Sequence, residues 1–201
     1  MPKLPRSFYL RENVLQITKE LLGKFLVTRI NGIVTGGMIT EAEAYAGEID
    51  SASHAFKGRR TRRTEIMFAN GGTAYVYICY GIHHLFNVVT NQKDVPHAIL
   101  IRGIEPTEGI DSMLKRRKMK AISYHLTAGP GALAEAMGIR VNHTGLDLLG
   151  ETIWIEDRGV KIPSQKIIPT IRVGVESSGK DARLPYRYII KDNPWVTRTP
   201  K

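Results

Sequence analysis

Cysteine and long apolar runs are the first things this sequence is short of. One cysteine occurs among 201 residues, so no disulfide can form within the chain, and we expect a reducing compartment. No stretch reaches the roughly 18 consecutive apolar residues of a membrane span, and the N-terminus has no apolar signal core. Internal repeats and low-complexity segments are also lacking. These absences argue against disulfide-rich secreted, membrane-spanning and repeat proteins.

Acidic residues are few compared with basic ones. The chain has 29 Lys and Arg against 19 Asp and Glu, for a net charge of +10. The hydrophobic fraction of 42% and charged fraction of 24% are ordinary for a globular protein, and the length suits a single domain, residues 1–201. The positive excess indicates a polyanionic partner, either nucleic acid or an anionic membrane surface. We expect a soluble intracellular protein that binds nucleic acid.

Turn signals and alternating apolar residues predict strands that are paired in hairpins. Asn31-Gly32 lies between two strand-like segments, Phe25–Ile30 and Ile33–Thr40, the second of which runs on to Tyr45. Residues 73–90 predict another hairpin that is broken by Tyr80-Gly81-Ile82-His83. Strands that follow one another as hairpins favour an antiparallel sheet over a parallel one.

The remaining segments complete the predicted fold. Helices are expected from Asn13 to Gly23, in part of Glu105–Lys120 and over Ala132–Met137. Four more short strands are expected at Ala98–Gly103, Thr152–Ile155, Ile171–Val175 and Tyr188–Ile190. We predict a single-domain α+β protein with a curved, largely antiparallel sheet, a protruding β-hairpin and surrounding helices.

The tip of the second hairpin has an unusual composition. Tyr80, Ile82, His83 and His84 are large residues at positions where small polar turn residues are expected. A rigid hairpin with a bulky tip is suited to insertion between stacked bases. The alternative is a core hairpin whose tip is covered by another loop.

Two carboxylates lie close together near the end of the first hairpin. Alternation along a strand places Glu41, Glu43 and Tyr45 on one face. Two carboxylates so close repel each other and tend to raise one pKa, as in acid–base sites, although a solvated strand face is the alternative. His54 follows in a polar loop, but no spacing of histidine and acidic residues matches a metal site. We therefore predict no metal and no cofactor.

A series of short motifs occurs in order between about Leu4 and Val196, and each of them alone is a weak signal. They are Thr40–Tyr45 (TEAEAY), Ser53-His54, Met67-Phe68, Tyr75–Ile78 with Tyr80-Gly81, Asn87, Leu100–Arg102, Glu105-Pro106, Gly129-Pro130, Arg172–Gly174 and Asn193–Val196. In this combination and order they resemble the alkyladenine (3-methyladenine) DNA glycosylase family, in its compact bacterial-like form.

The resemblance implies an enzyme of base excision repair. Such an enzyme flips an alkylated or deaminated purine out of duplex DNA and hydrolyses its N-glycosidic bond, which leaves an abasic site. No lysine falls at a matched pocket position, so a covalent Schiff base is not expected and the glycosylase would be monofunctional. The implied partner is double-stranded DNA that contains damaged purines, bound by a monomer without membrane contact. In a bacterium the protein would be cytoplasmic and associated with the nucleoid.

The resemblance also assigns roles to single residues in the catalytic centre. Glu43 matches the general base, and Arg102 matches its partner in holding the nucleophilic water. Tyr45, His54 and Tyr77 match the walls of the base pocket. Aromatic walls suit a planar purine, above all a cationic alkylated one, through stacking and cation–π attraction.

Further matches concern the contact with DNA. Tyr80 matches the residue that intercalates where the damaged nucleotide has left the stack, and Asn87 matches the residue that crowds the exocyclic amino group of normal guanine. Two basic runs are candidate backbone contacts, with Arg59, Arg60, Arg62 and Arg63 in the first and Lys115, Arg116, Arg117 and Lys118 in the second. Gly129-Pro130-Gly131 either seats a phosphate or forms a tight turn.

Other interpretations remain open from the sequence. Glu41 receives no role from the resemblance. A non-catalytic nucleic-acid binding module with the same wedge and pocket is the main alternative to an enzyme, and a metal-dependent phosphoesterase is a second one.

Overall fold

The protein folds as an α+β structure around one antiparallel sheet, as predicted. In this computed structural model residues 1–197 are described. The strands are β1 Phe25–Ile30, β2 Ile33–Tyr45, β3 Thr73–Cys79, β4 His83–Thr90, β5 His97–Glu108, β6 Ile153–Glu156, β7 Ile167–Thr170 and β8 Arg187–Ile190. The α-helices are α1 Arg6–Tyr9, α2 Val14–Leu21, α3 Ile110–Arg116 and α4 Pro130–Ala136.

The sheet has a branch at its longest strand. The main order is β3-β4-β5-β2-β1-β6, and every pairing is antiparallel. The first half of β2 pairs with β1, whereas Glu41–Glu43 pairs with β8, which in turn pairs with β7. The register of β2 against β5 shifts on both sides of Glu41. These irregularities bend the strand at the position of the two carboxylates.

Local turn and cap signals are confirmed. Asn31 and Gly32 adopt positive φ angles of 52° and 75°, as a tight two-residue hairpin turn requires. Helix α2 begins after Asn13, whose side chain accepts a hydrogen bond from the backbone N–H of Gln16. Such short-range signals determine structure without help from distant residues.

One predicted strand, Ala98–Gly103, is too short. Strand β5 continues to Glu108, so the helix expected within Glu105–Lys120 begins only at Ile110. The reason is the partner strand, because Gly37 of β2 lies opposite Pro106 and lets the backbones approach closely. A Cβ atom at Gly37 would lie 2.5 Å from the carbonyl oxygen of Glu105. Pairing with β2 therefore outweighs the local preference for a helix.

The strand predicted at Ile171–Val175 is also wrong, since the strand here is β7 and residues 171–175 form a loop. Two of the loop's polar groups bind inside the protein instead of pairing with a strand. The Arg172 side chain donates to the Asp50 carboxylate, and the Val173 backbone N–H donates to Glu43. The loop is thus held by side chains of the site described below.

The two faces of the sheet have different roles. One face carries apolar residues such as Val76, Phe86, Val88 and Ile99, which belong to the main core together with residues of α2 and α4. Alternate residues on the same strands, among them Tyr75 and Asn87, point to the opposite face. No helix within residues 1–197 is long and apolar enough to cross a membrane.

Candidate active site

The site is built on a row of residues that crosses four neighbouring strands. Glu43 of β2 lies opposite Leu100 of β5, Leu100 lies opposite Asn87 of β4, and Asn87 lies opposite Tyr75 of β3. Residues directly opposite one another share a face of the sheet, as do residues two apart on one strand. The same face therefore also carries Tyr45, Tyr77, Leu85, Ala98 and Arg102. Motifs far apart in the sequence meet here because of strand register.

A cavity of about 470 Å³ opens on this face. Among the predicted site residues it is lined by Tyr45, His54, Arg63, Tyr77, Tyr80 and Arg102. Glu43 and Asn87 are not among its lining residues. The volume lies within the range of small-molecule sites in proteins, and a single planar base fits such a cavity.

One side of the cavity is an aromatic wall formed by His54 and Tyr77, and the buried ring of Tyr75 packs against both. The ring centres of His54 and Tyr77 are 4.8 Å apart, and those of Tyr75 and Tyr77 are 5.4 Å apart. His54 Nδ1 lies 2.9 Å from the Tyr75 hydroxyl oxygen. Burial, together with the charges of Arg63 and Arg59, lowers the pKa of His54 to about 4. The imidazole is therefore neutral at neutral pH.

Glu43 is fully buried and is held by three donors. The Tyr45 hydroxyl donates to Oε2 at 2.8 Å, and the Val173 backbone N–H donates to Oε1 at 2.8 Å. Arg102 Nε lies 3.3 Å from Oε1. Tyr45, Val173 and Arg102 line the cavity, so the carboxylate lies directly behind the cavity wall. Burial raises the pKa of Glu43, although Arg102 and the hydrogen bonds oppose the rise.

Glu41 has a different environment, and its position excludes a solvated strand face. Its Oε1 accepts hydrogen bonds from Arg102 Nε and Arg187 Nε, both at 2.7 Å, and its Oε2 accepts from the backbone N–H of Thr197 at 2.6 Å. Burial alone would raise the pKa of Glu41, but the two guanidinium groups and the N–H donor lower it. The two carboxylates therefore differ, since Glu41 is a fixed anion and Glu43 has the raised pKa.

Two buried arginines contribute to the site without having been singled out in the sequence. Arg187 is bound to Glu41, and Arg172 donates two hydrogen bonds to Asp50 and one to the Ala44 carbonyl. The Arg172 guanidinium also lies 4.8 Å from the ring centre of Tyr45. Arg172 lies in one of the motifs that carry the family resemblance, and this motif was the available signal. Nothing comparable marked Arg187.

The hairpin tip protrudes into solvent, so the interpretation of a covered core hairpin is wrong. Tyr80 is 87% exposed and Ile82 is 72% exposed. Strand β3 ends at Cys79, after which Tyr80 and Gly81 have positive φ angles of 51° and 74°. Because the strand has ended, its alternation of faces no longer fixes the direction of the Tyr80 side chain, which borders the cavity.

Asn87 is buried, with 3% of its surface exposed. Its side-chain amide donates to the backbone carbonyls of Tyr75 and Leu85, at 3.2 and 3.3 Å. Leu85 and Leu100, which lies opposite Asn87 on β5, both line the cavity. Asn87 therefore supports two strands at the cavity without lining it in this structure.

The two basic runs differ in how much of their charge is accessible. In the first, Arg60 is paired with Glu65 and Asp94, while Arg59, Arg62 and Arg63 are exposed. In the second run both arginines bind the protein. Arg116 donates to the Ala136 carbonyl, and Arg117 pairs with Glu135, whereas Lys115 and Lys118 are exposed.

Gly129 and the first three residues of α4, Pro130–Ala132, also line the cavity. A Cβ atom at Gly131 would lie 2.9 Å from Nδ1 of His83, so this glycine allows the helix end to pack closely on the hairpin. Within residues 1–197 there is no group of three or more His, Cys, Asp or Glu side chains arranged to hold a metal ion.

Comparison with known proteins gives one consistent family. Residues 7–194 match the family model described as Methylpurine-DNA glycosylase (MPG). The chain is 41% identical to a Clostridium perfringens (strain 13 / Type A) protein named "Putative 3-methyladenine DNA glycosylase", over 98% of this chain and 99% of that protein. A protein of the same name from Chlamydia felis is 43% identical, over 93% of this chain and 95% of its own. A third, from Alkaliphilus oremlandii, is 41% identical over 98% and 99%.

Proposed function

The chain belongs to the methylpurine-DNA glycosylase family of DNA repair proteins, and on this premise we propose that it excises alkylated or deaminated purines from duplex DNA. The damaged nucleotide rotates out of the helix, because a base inside the stack is out of reach of a protein side chain. The flipped base enters the cavity and stacks on the aromatic wall of His54 and Tyr77. The Tyr80 ring fills the gap that the nucleotide leaves.

In this proposal Glu43 is the general base that activates water for attack on the sugar. A cationic alkylpurine leaves readily, so the enzyme chiefly has to deprotonate water and stabilise positive charge on the sugar. The Glu43 carboxylate lies behind the cavity wall beside Arg102, which contacts both carboxylates and lines the cavity. Water bound between Glu43 and Arg102 would face the glycosidic bond of a base seated in the cavity.

The single observation that carries the proposal is the register row Glu43–Leu100–Asn87–Tyr75. It places a buried carboxylate with a raised pKa next to an aromatic cavity, on a sheet whose exposed hairpin carries Tyr80. A binding module needs the wall and the wedge but not the carboxylate. The carboxylate therefore favours an enzyme over a non-catalytic module.

The test is the release of damaged bases. The protein is incubated with duplexes that contain 3-methyladenine, 7-methylguanine, hypoxanthine or ethenoadenine at one position, and alkali then converts abasic sites to strand breaks. We expect breaks with at least one lesion, only after the alkali treatment, as for a monofunctional glycosylase. Tight binding of every lesion with no abasic site would favour the binding module. Strand breaks before alkali would contradict monofunctional chemistry.

We further propose that the protein acts as a monomer. The tip and the cavity lie on one face of one chain, so no second copy is needed to complete the site. Because its substrate is the chromosome and the relatives named above are bacterial, we place it in the cytoplasm, at the nucleoid. Size-exclusion chromatography with and without a lesion duplex tests the first point, since a dimer in either state would contradict it. Fluorescence microscopy of a tagged chain tests the second.

A further inference from the structure

One cation of the first basic run, although exposed to solvent, also borders the cavity. The Arg63 guanidinium is 4.7 Å from the ring centre of Tyr77, and its Nη2 lies 3.2 Å from Nε2 of His54. Arg63 is among the residues that line the cavity. By contrast, Arg60 of the same run is bound to Glu65 and Asp94. The contacts of Arg63 are with the aromatic wall on which a base would stack.

This placement means that the wall already holds a cation before any base arrives. Rings of tyrosine attract a positive charge placed over them, and an alkylated purine nucleotide with a positive charge would use the same attraction. Such a base and Arg63 therefore compete for the wall, or they share the cavity and repel each other. A neutral base of the same shape does not compete with Arg63 for the cation–π interaction, and Arg63 does not repel it.

Resting on the proposed function, we propose that Arg63 is a specificity residue that favours neutral damaged purines over cationic ones. Its charge acts on the flipped base itself. This role differs from a phosphate contact, which would affect all lesions in the same duplex equally. The site thus favours neutral purines with an altered edge, such as hypoxanthine. This preference is stronger than stacking on the aromatic rings alone would give.

The experiment compares two duplexes that differ in one base, 7-methylguanine as the cationic lesion and hypoxanthine as the neutral one. For each protein we take the ratio of the single-turnover cleavage rates, because the intrinsic difference between the two leaving groups cancels when variants are compared. Arg63→Gln removes the charge, Arg63→Lys keeps it, and Arg62→Gln removes the charge of the exposed neighbour.

We expect Arg63→Gln to raise the ratio of 7-methylguanine to hypoxanthine cleavage by about three- to tenfold, the effect of removing a solvent-exposed like charge about 6 Å away at an effective dielectric constant of about 40–80. Arg63→Lys and Arg62→Gln should leave the ratio within about twofold of the parent. Equal changes in both rates with Arg63→Gln, or a fall in the ratio, would overturn the proposal.

The same ratio taken from equilibrium dissociation constants makes the result independent of turnover. A parent protein that cleaves neither duplex contradicts the proposed function, while its binding ratios still test Arg63. A parent that cleaves both duplexes with the ratio unchanged in Arg63→Gln contradicts the role of Arg63 alone.

Discussion

Two glutamates separated by one residue have different electrostatic environments in this protein. Both are fully buried, but Glu41 binds two guanidinium groups and a backbone N–H, whereas Glu43 shares only the Arg102 guanidinium with it. The raised pKa of Glu43 means that the folded protein holds this proton to higher pH than the unfolded chain does. The contribution of Glu43 to the free energy of unfolding should therefore fall as pH rises from the pKa of an ordinary glutamate through that of folded Glu43, and the pH dependence of unfolding in the parent and in Glu43→Gln measures this difference.

The role of Asn87 in selectivity can also be tested by a single substitution. Replacement of Asn87 by Ser removes a buried amide that holds two strands beside the cavity, and we expect the cavity wall to relax enough to admit a 2-amino group. We expect release of normal guanine to become detectable and discrimination among lesions to decrease. Base release from undamaged duplex measures the effect. Identical selectivity in Asn87→Ser and the parent would rule out this role for Asn87.

For single residues, the sequence predicted on which face of the sheet a side chain lies better than it predicted the hydrogen-bond and ion-pair partners of that side chain. Alternation alone placed Glu41, Glu43 and Tyr45 on one face, and this is confirmed. It could not show which glutamate would carry the raised pKa, because the deciding groups are Arg187, Val173 and Thr197, which come near the other end of the chain. Long-range contacts of this kind leave no local pattern in a sequence.

Among the elements, the β3–β4 hairpin gives the clearest test. Tyr80 is exposed at its tip, so Tyr80→Ala should leave the melting temperature within about 2 °C of the parent. The variant should bind lesion duplexes more weakly and flip the base more slowly, because nothing refills the gap in the stack. Cleavage of a lesion in single-stranded DNA should be affected much less.

The matched control is Tyr80→Phe, which keeps the ring and loses only the hydroxyl group. It should behave like the parent on both duplex and single-stranded DNA. Calorimetry, binding and single-turnover cleavage together measure the three effects. A drop of many degrees in the melting temperature of Tyr80→Ala would show that the ring supports the fold, which would contradict its role as a wedge.

Elements were predictable where the deciding interactions are local. The turn at Asn31-Gly32 and the cap at Asn13 need only their sequence neighbours, and both were predicted correctly. The extension of β5 through Glu108 depends on Gly37 of β2, and the loop at 171–175 depends on Asp50 and Glu43. Both errors arose where a distant partner outweighs local preference.

On the scale of the whole molecule, the excess of positive charge should govern DNA affinity. The logarithm of the binding constant should fall linearly with the logarithm of salt concentration, with a slope of about −0.9 for each phosphate that is neutralised. Arg59→Ala and Arg62→Ala should each make the slope shallower by about 1, because both side chains are exposed. Arg60→Ala is the matched control, since Glu65 and Asp94 already pair with Arg60.

The slopes come from fluorescence anisotropy titrations at four or more salt concentrations. The outcome expected for Arg60→Ala is a slope equal to that of the parent. If Arg59→Ala and Arg62→Ala also leave the slope unchanged, the run is an ordinary solvated surface and the backbone contacts lie elsewhere.

The measurement that tests the account most directly is single-turnover formation of abasic sites by Glu43→Gln between about pH 5 and 9. In the parent, cleavage should rise with pH through an apparent pKa above that of an ordinary glutamate and then level off, because a general base must be ionised. Glu43→Gln should bind lesion DNA about as well as the parent, yet lose cleavage by a factor of about 10² or more.

Glu41→Gln is the matched control. The new amide NH2 group would face the Thr197 N–H, so that two hydrogen-bond donors meet. We therefore expect a loss of stability of about 2–4 kcal/mol, but the folded protein should lose far less cleavage than Glu43→Gln does. Full activity in Glu43→Gln would contradict the account, and an inactive but folded Glu41→Gln beside it would assign the base to Glu41.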